Sequence, residues 1–559
     1  MNPKIQEQHR RKPAYIYLRQ STPGQVLHHR ESTERQYALR EKARELGWSE
    51  SLIRTLDQDL GKTGTEMTRR EDFKILARIP KLRALFRPDS VKLQWDRKKL
   101  RRNKTVRQEI TSIWGERKVE LRSTGRAVTP FGGLVVFLEF LRKIGYAEAV
   151  QEHLPFGLTS PNAIPPAQTF TAFVLSVLAG ARRFAHAGWL RADEALRQIL
   201  GMVRFPSDDT LRNFFKRFRH AQVYGFYSGL WRWQIGRLPV RGEGYSLDLD
   251  STVFERYGRQ QGALKGHNPR KHGRPSHHPL LAVLAEAHFI LHGWLRSGNC
   301  GVARGVEEFL KEALALLSAP HRLRVVRADA GFFEQQLLSF LEERRLPYIV
   351  VARMTRWVKR EAMRVEAWRA LDENFSMGEF RLQLYGWDRE RRFVVIREQL
   401  REEQDSAGRK LLEVPGFTFR IWVTSCSATP EEIWRDYNQR ADVENRIAEL
   451  KLDLAADDFC LHEFFATEAA FCAVLLLFNL LVEFQRMSGS KRYRQPATLR
   501  TLVFLCGALL GRAGHHLVLH LSASWGGLQQ RIPLLENVSA YATSPKLPPI
   551  APLQQPRSP

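Results

Sequence analysis

Residues 244–252 read GYSLDLDST, an apolar strand that closes on acids. Tyr245, Leu247 and Leu249 alternate with Ser246, Asp248 and Asp250, and period two puts both carboxylates on one side of the strand. A second strand, LRVVRAD (323–329), also ends on an acid, Asp329, followed by Ala-Gly-Phe-Phe. An acid at a strand end before a glycine stands where open α/β sheets place functional groups. Between them, PLLAVLAEA (279–287) and HFILHGWLR (288–296) predict a hairpin, and VEEFLKEALALL (306–317) a helix. After Asp329, EQQLLSFLEERR (334–345) predicts a helix and LPYIVVARM (346–354) a strand. Residues 378–424 are β-rich, and one long helix is expected from Pro430 past Lys451. In YNQRADVENRIAELK (437–451), the spacing of Tyr437, Arg440, Glu444 and Lys451 keeps all four on one helical stripe.

Upstream of this alternating region the texture is helical. GGLVVFLEFLRKIGYAEAVQEHL, QTFTAFVLSVLAGARRF and EALRQILGMV carry apolar residues at helical spacing. In FPSDDTLRNFFKRFR, Ser207 or Asp208 can cap a short helix bearing Arg212, Lys216, Arg217 and Arg219. A capped basic helix after several others suits a helix-turn-helix recognition element, and equally an ordinary charged surface. Nearer the start, AYIYLRQS (14–21) predicts a strand, Ser32 to about Leu46 a helix, and LIRTLDQDLGKTG (52–64) a strand running into a loop. Beyond Arg78 the chain turns basic and proline-punctuated, which reads as a linker over 79–127. The end, from Pro545, reads as a disordered proline-rich tail.

The 559 residues carry 87 Lys+Arg against 60 Asp+Glu, a net charge of +27, with 43% hydrophobic residues. That composition buries real cores and excludes a disordered polycation. The charge points to a polyanion, above all nucleic acid. More than half of it lies in residues 1–127, and KLQWDRKKLRRNKTVR (92–107) suits either a solvated linker or a phosphate-binding arm. The five cysteines show no CxxC spacing, which argues against a cysteine zinc site and fits a reducing interior. The apolar run Ala469 to Phe478 is about half a membrane span, so a buried core helix is expected and no membrane partner. His272, His277 and His278 match no zinc spacing.

Carboxylates from two strands and a helix can converge, and hard oxygen ligands of that kind suit Mg²⁺ or Mn²⁺. The helix 437–451 resembles the Tyr-x2-Arg-x3-Glu-x6-Lys signature of DDE transposases from bacterial insertion sequences. LDLDSTV resembles that group's first catalytic strand and RADAGF its second. GRQQGALKGHNPRKHGRPSHHPLL (258–281) resembles the stretch that follows the first acid in one branch. The resemblance covers roughly residues 128–530. It implies a ribonuclease-H-like α/β core over 241–355 and 428–530, a β-rich insertion over 356–427, and a helical DNA-binding region over 128–240. A proline-rich tail would fill 531–559.

The same resemblance implies a DNA transposase that binds its element's terminal inverted repeats and performs metal-dependent cleavage and strand transfer. Asp250, Asp329 and Glu444 would be catalytic and would hold Mg²⁺ or Mn²⁺, as two ions. Asp250 is preferred to Asp248 on the Asp-x-Thr pattern, and Asp248 is left as either a supporting acid or a structural one. Tyr437, Arg440 and Lys451 would contact DNA, and so would the basic loop residues Lys265, Arg270, Lys271 and Arg274. Partners would be element-end and target DNA and a second copy of the chain, in the bacterial cytoplasm at the nucleoid.

AYIYLRQSTPGQ and IRTLDQDLGKTGTEMTRREDF resemble the opening motifs of resolvase–invertase-type serine recombinases over residues 13–78. Ser21 would be the nucleophile, with Arg19 and Arg70 beside it. A serine needs neighbouring charge to become reactive, and the later motifs of that family are not recognisable here. This segment therefore reads as a partial α/β recombinase remnant fused ahead of the transposase. Two alternatives stay open: a serine recombinase acting through Ser21, and an inactive DNA-binding fusion product that inhibits transposition.

Overall fold

The computed structural model describes residues 14–17, 41, 43–44, 48–56, 108–111, 118–121, 124–157, 160, 162–268, 271–399, 417–490, 492–525 and 528–541. The chain divides into two compact units, Met1–Thr124 and Gly125–Pro559.

In the first unit, strand Ala14–Tyr17 pairs in parallel with Ile53–Leu56. Ala43 packs with Ile53 beneath them. Inside the segment read as a linker, Gln108–Thr111 pairs antiparallel with Lys118–Leu121. Ile110 faces Val119 across that pair. Two four-residue strands with one apolar pair are hard to distinguish from the surrounding basic sequence, so sequence reasoning missed the strands at 108–111 and 118–121.

The second unit is built on a nine-stranded mixed sheet. Its strands are β1 (Tyr245–Ser251), β2 (Leu280–Leu284), β3 (Phe289–Trp294), β4 (Leu323–Ala328), β5 (Tyr348–Val351), β6 (Arg369–Ala370), β7 (Phe375–Leu382), β8 (Arg391–Gln399) and β9 (Phe417–Thr424). The order across the sheet is β3-β2-β1-β4-β5-β9-β8-β7-β6. β1, β2 and β3 form an antiparallel meander, whereas β4 and β5 run parallel to β1. β1 lies inside the sheet and is buried from Tyr245 to Asp250, so its alternating polar residues are buried too and need partners within the protein. The β-rich residues join this same sheet, because β9 pairs with β5 through Ile349 and Thr424.

The helices before the sheet include α1 (Leu134–Lys143), α2 (Tyr146–His153), α3 (Pro166–Leu178), α4 (Asp208–Phe215) and α5 (His220–Ile235). They share one hydrophobic core with the sheet. Ser207 caps α4 by accepting from Thr210 N at 3.2 Å. Leu211, Phe214 and Phe215 turn into the core, and Arg212 pairs with Asp208 at 2.8 Å. After the sheet come α8 (Pro430–Asn438), α9 (Ala441–Leu452) and α10 (Phe464–Met487), with α6 (Val306–Leu316) and α7 (Gln335–Glu343) lying between the earlier strands.

α10 is the spine of this unit. It is long and apolar enough to cross a membrane, yet 94% of its most apolar window is buried inside the protein. Each buried Leu or Phe on it contributes about 1.5–3 kcal/mol. Its few polar groups are spent on cross-links. The Tyr227 hydroxyl of α5 donates to Ala469 O, and Arg237 pairs with Glu483 at 2.5 Å. β3 is an edge strand, and Asn479 covers that edge. Ile290 N donates to Asn479 Oδ1 at 2.8 Å, and Asn479 Nδ2 donates to Ile290 O at 2.9 Å and to Gln234 Oε1 at 3.2 Å.

The expected tail is also shorter than read. A helix over Leu528–Ala540 packs back on the unit, with Val538 fully buried and Arg531 Nε donating to Val503 O at 2.8 Å. Residues 542–559 lie outside the described residues.

Candidate active site

The parallel register of β1 and β4 sets Arg327 beside Asp248 and Ala328 beside Leu249. One step further brings Asp329 beside Asp250, on strands about 4.8 Å apart. Asp250 is buried, with 8% of its surface exposed. Burial pushes its carboxyl up to about 6; the charges of Asp329 and Glu444 add to the rise, and Arg440 opposes it. The two expected strand acids and the helical acid therefore lie in one electrostatic neighbourhood. Ser251 N donates to Asp250 Oδ1 at 2.7 Å and fixes that oxygen.

Asp329 caps the turn that follows it, accepting from Gly331 N at 2.8 Å. A Cβ on residue 331 would come 2.8 Å from Val302 Cγ1 and 2.9 Å from Asp329 Oδ1. Glycine thus lets the backbone close on the acid without a clash. Glu444 stands exposed in the first turn of α9.

One expected helix is in fact two. α8 ends at Asn438 and α9 begins at Ala441. Between them Gln439 and Arg440 keep right-handed helical angles, but Arg440 N bonds three residues back, to Tyr437 O at 2.8 Å. The joint is a tightened turn, which apolar periodicity does not register. At this joint Arg440 turns inward. Its Nη2 donates to Leu249 O at 3.0 Å and lies 3.3 Å from Asp250 Oδ2. Arg440, expected on the DNA, is only 5% exposed, with its guanidinium beside Asp250.

Tyr437 packs on Trp422 of β9, with ring centroids 5.6 Å apart. Burial, with Asp329, Asp250 and Asp248 nearby, pushes its hydroxyl up to about 12, so it stays protonated at neutral pH. Lys451 Nζ donates to Val253 O at 3.0 Å, just past the end of β1.

The basic segment after Asp250 is ordered into a small sheet of Phe254–Glu255, Leu264–Lys265 and Pro275–His277. Lys265 is exposed. Lys271 Nζ donates to Glu255 Oε2 at 2.8 Å and to the Tyr257 hydroxyl at 2.9 Å. Arg274 lies 4.5 Å over the Tyr257 ring. Arg270 lies outside the described residues, as do Ser21, Arg19 and Arg70 of the recombinase-like segment. His277 is buried, its ring bound by Arg256 Nε at 2.9 Å and by Gln261 O at 2.8 Å. Burial and the Arg256 charge hold it down at about 4, so it is neutral at pH 7. His278 Nδ1 is tied to Cys300 O at 3.0 Å.

Asp248, left open between two roles, is fully buried and gripped by Arg327 at 2.6 and 2.9 Å. Arg327 and its other partner, Asp436, escaped the reading of the sequence. The trace of them in the sequence is a pair of arginines, Arg324 and Arg327, in a six-residue strand whose other four residues are apolar.

Among the described residues no group of three or more His, Cys, Asp and Glu side chains is arranged to enclose an ion as it stands. The donor set nonetheless suits a hard divalent cation. It consists of carboxylates; burial is the main reason the Asp250 carboxyl is raised, and a cation would relieve the smaller part that comes from the neighbouring acids.

Comparison with known proteins places the chain. An uncharacterized protein of Sinorhizobium fredii is 42% identical over 73 residues, 13% of this chain, and the chain spans only 10% of that relative's length. A solved piggyBac transposase synaptic complex with hairpin DNA aligns over 77% of this chain and 90% of its own, at 12% identity and a TM-score of 0.37, too distant to carry an argument. Residues 111–538 match the family described as "Transposase DDE domain group 1", and over that span, well beyond half of its length, the chain belongs to this transposase family.

Proposed function

We propose that the protein is a transposase whose Asp250, Asp329 and Glu444 hold divalent cations and cut DNA strands at the ends of its element. The observation that carries this reading is geometric: β4 runs parallel to β1 with Ala328 beside Leu249, so both strands end together on acids, and the joint that leads to Glu444 docks there through Arg440, 3.3 Å from Asp250. The sheet order supports a ribonuclease-H-like core: an antiparallel three-stranded meander continued by two strands parallel to the first. Bound there, Mg²⁺ or Mn²⁺ supplies the charge that activates the nucleophile and steadies the leaving oxygen of an in-line displacement.

The chain's own residues prepare the site. Arg440 opposes protonation of Asp250 and ties the helical joint to the end of β1. The Tyr437 hydroxyl keeps its proton and can donate to a phosphate oxygen. Lys451 anchors α9 to the end of β1. Lys265, Lys271 and Arg274 offer cationic groups to the DNA backbone beside the acids. Joining two element ends to a target takes two such sites, so the working form is a dimer on DNA. A recombinase-like remnant at the start of the chain would play no part in this chemistry.

The test is Asp250→Asn, Asp329→Asn and Glu444→Gln on end-labelled element DNA in Mg²⁺. Each should bind the DNA and lose cleavage by at least about 10³-fold. Cleavage near the wild-type rate by any of them sinks the assignment.

A further inference from the structure

Beneath the three acids lies a second set of charges that the proposed chemistry does not use. Arg327 of β4 is fully buried, at 0% exposure. Its Nε and Nη2 donate to Asp248 Oδ1 and Oδ2 at 2.6 and 2.9 Å. Its Nη1 donates to the backbone oxygen of Asp436 at 2.6 Å and to Asp436 Oδ1 at 2.9 Å. Four of the five guanidinium donors are thus used, on two elements at once. Arg324 reaches the same helix: its Nη1 and Nη2 donate to Asp436 Oδ2 and Oδ1 at 2.5 and 3.0 Å. Residues 324 and 327 would point to opposite faces of a regular strand. The register of β4 against β1 slips between Leu323 and Val325, and this bulge at Arg324 brings both arginines to Asp436.

The placement of this cluster is what gives it meaning. Asp248 stands two residues before Asp250, and Arg327 two residues before Asp329. Asp436 stands at the end of α8, one residue before Tyr437 and just ahead of the joint that leads to Glu444. The clamp therefore touches both strands that carry an acid and α8, the helix that leads through the joint to the third acid on α9. Stability alone does not call for it, since a buried ion network is often no more stabilising than apolar packing of the same volume. What bidentate charged contacts add is direction.

We infer that Arg327, Asp248 and Asp436, with Arg324 as a brace, are positioning residues that set the distance of Glu444 from the Asp250–Asp329 strand pair. This rests on the metal-site reading above. Breaking the clamp leaves the strand acids in register, because β1–β4 backbone pairing holds them, but lets the α8–α9 joint and Glu444 drift.

The experiment uses Fe²⁺ in place of Mg²⁺ on the full chain bound to element-end DNA, with ascorbate and peroxide, so that hydroxyl radicals cut the polypeptide beside the ion. The wild type should be cut near residues 250, 329 and 444. Asp436→Asn should keep the first two cuts within about twofold and lose the third by about fivefold or more. Its half-saturating Mn²⁺ for DNA cleavage should rise about tenfold, with the rate at saturating Mn²⁺ within about threefold. Arg324→Gln, at a half-exposed position, removes two of the bonds to Asp436 and should give a smaller shift in the same direction. It serves as the decisive variant if Asp436→Asn does not fold. An unchanged cut near 444, or parallel loss of all three cuts in a folded variant, overturns the inference. No cuts in the wild type would instead overturn the metal site itself.

Discussion

Arg440 Nη2 lies 3.3 Å from Asp250 Oδ2, so a residue of the helical joint is the inward partner of the first strand acid. Removing it takes away the charge that opposes protonation of Asp250. Arg440→Gln should raise the Asp250 midpoint further, by about 1–3 units. Cleavage at neutral pH should fall about 10–100-fold and recover at alkaline pH. Affinity for duplex DNA should stay within about twofold, measured by fluorescence anisotropy. An equal loss of DNA binding would return Arg440 to the DNA surface.

The elevated Asp250 also makes cation binding depend on pH. Below about 6 the site carries a proton that a cation must displace. Mn²⁺ affinity should drop about tenfold per pH unit below that midpoint and level off above it, as titration calorimetry would show. For the metal-free fold the sign is opposite. The folded value exceeds the usual 3.8, so this group's contribution to stability is fully present at low pH and is lost as pH rises through about 6. A flat affinity from pH 5 to 8 would remove Asp250 from the ligand set.

Lys265 lies on the small sheet that follows β1 and Arg274 just before its strand Pro275–His277, and both are exposed. Replacing both with Ala should lower the slope of log affinity against log salt by about 1.8, since each phosphate contact contributes about 0.9. Cleavage at low salt should fall only a few-fold. A slope that does not move would place the DNA on another face.

Asn479→Leu tests the spine. The change strands Ile290 N–H and C=O at the sheet edge and leaves Gln234 Oε1 without its bond from Asn479. It should cost about 2–4 kcal/mol, read from urea unfolding followed by circular dichroism. A loss under about 0.5 kcal/mol would mean that the edge finds other partners.

Much of this was open to reading from residue order alone. The strand that carries Asp250 follows from strict alternation, the place of Asp329 from the end of a second strand just before a glycine turn, and the hairpin of β2 and β3 from two apolar runs around Ala285–His288. The spacing of Tyr437, Arg440, Glu444 and Lys451 suggested one face of one helix. The structure distributes these groups over two helices, because a tightened turn keeps helical angles and leaves no mark in side-chain period. The partners of Arg327 were out of reach for another reason. Asp248 lies 79 residues away and Asp436 lies 109, and pairing over such distances is decided by the sheet's register. The strand pair at 108–121 and the helix at Leu528–Ala540 were lost to composition: one hides among basic residues, the other carries Pro533 in its middle.

The buried helix α10 has a bearing on when the protein can act. It comes late in the chain, yet α5 and the edge strand β3 both depend on it for partners. A ribosome that has finished α5 at Ile235 must still add the stretch up to Phe464 before the helix that completes the core exists. At about 5–20 residues per second that is a wait of roughly 10–50 s. During that time the first-made helices expose their apolar faces, and the acids of β1 and β4 have no finished scaffold. Synthesis itself thus imposes a delay between the start of translation and the first competent molecule.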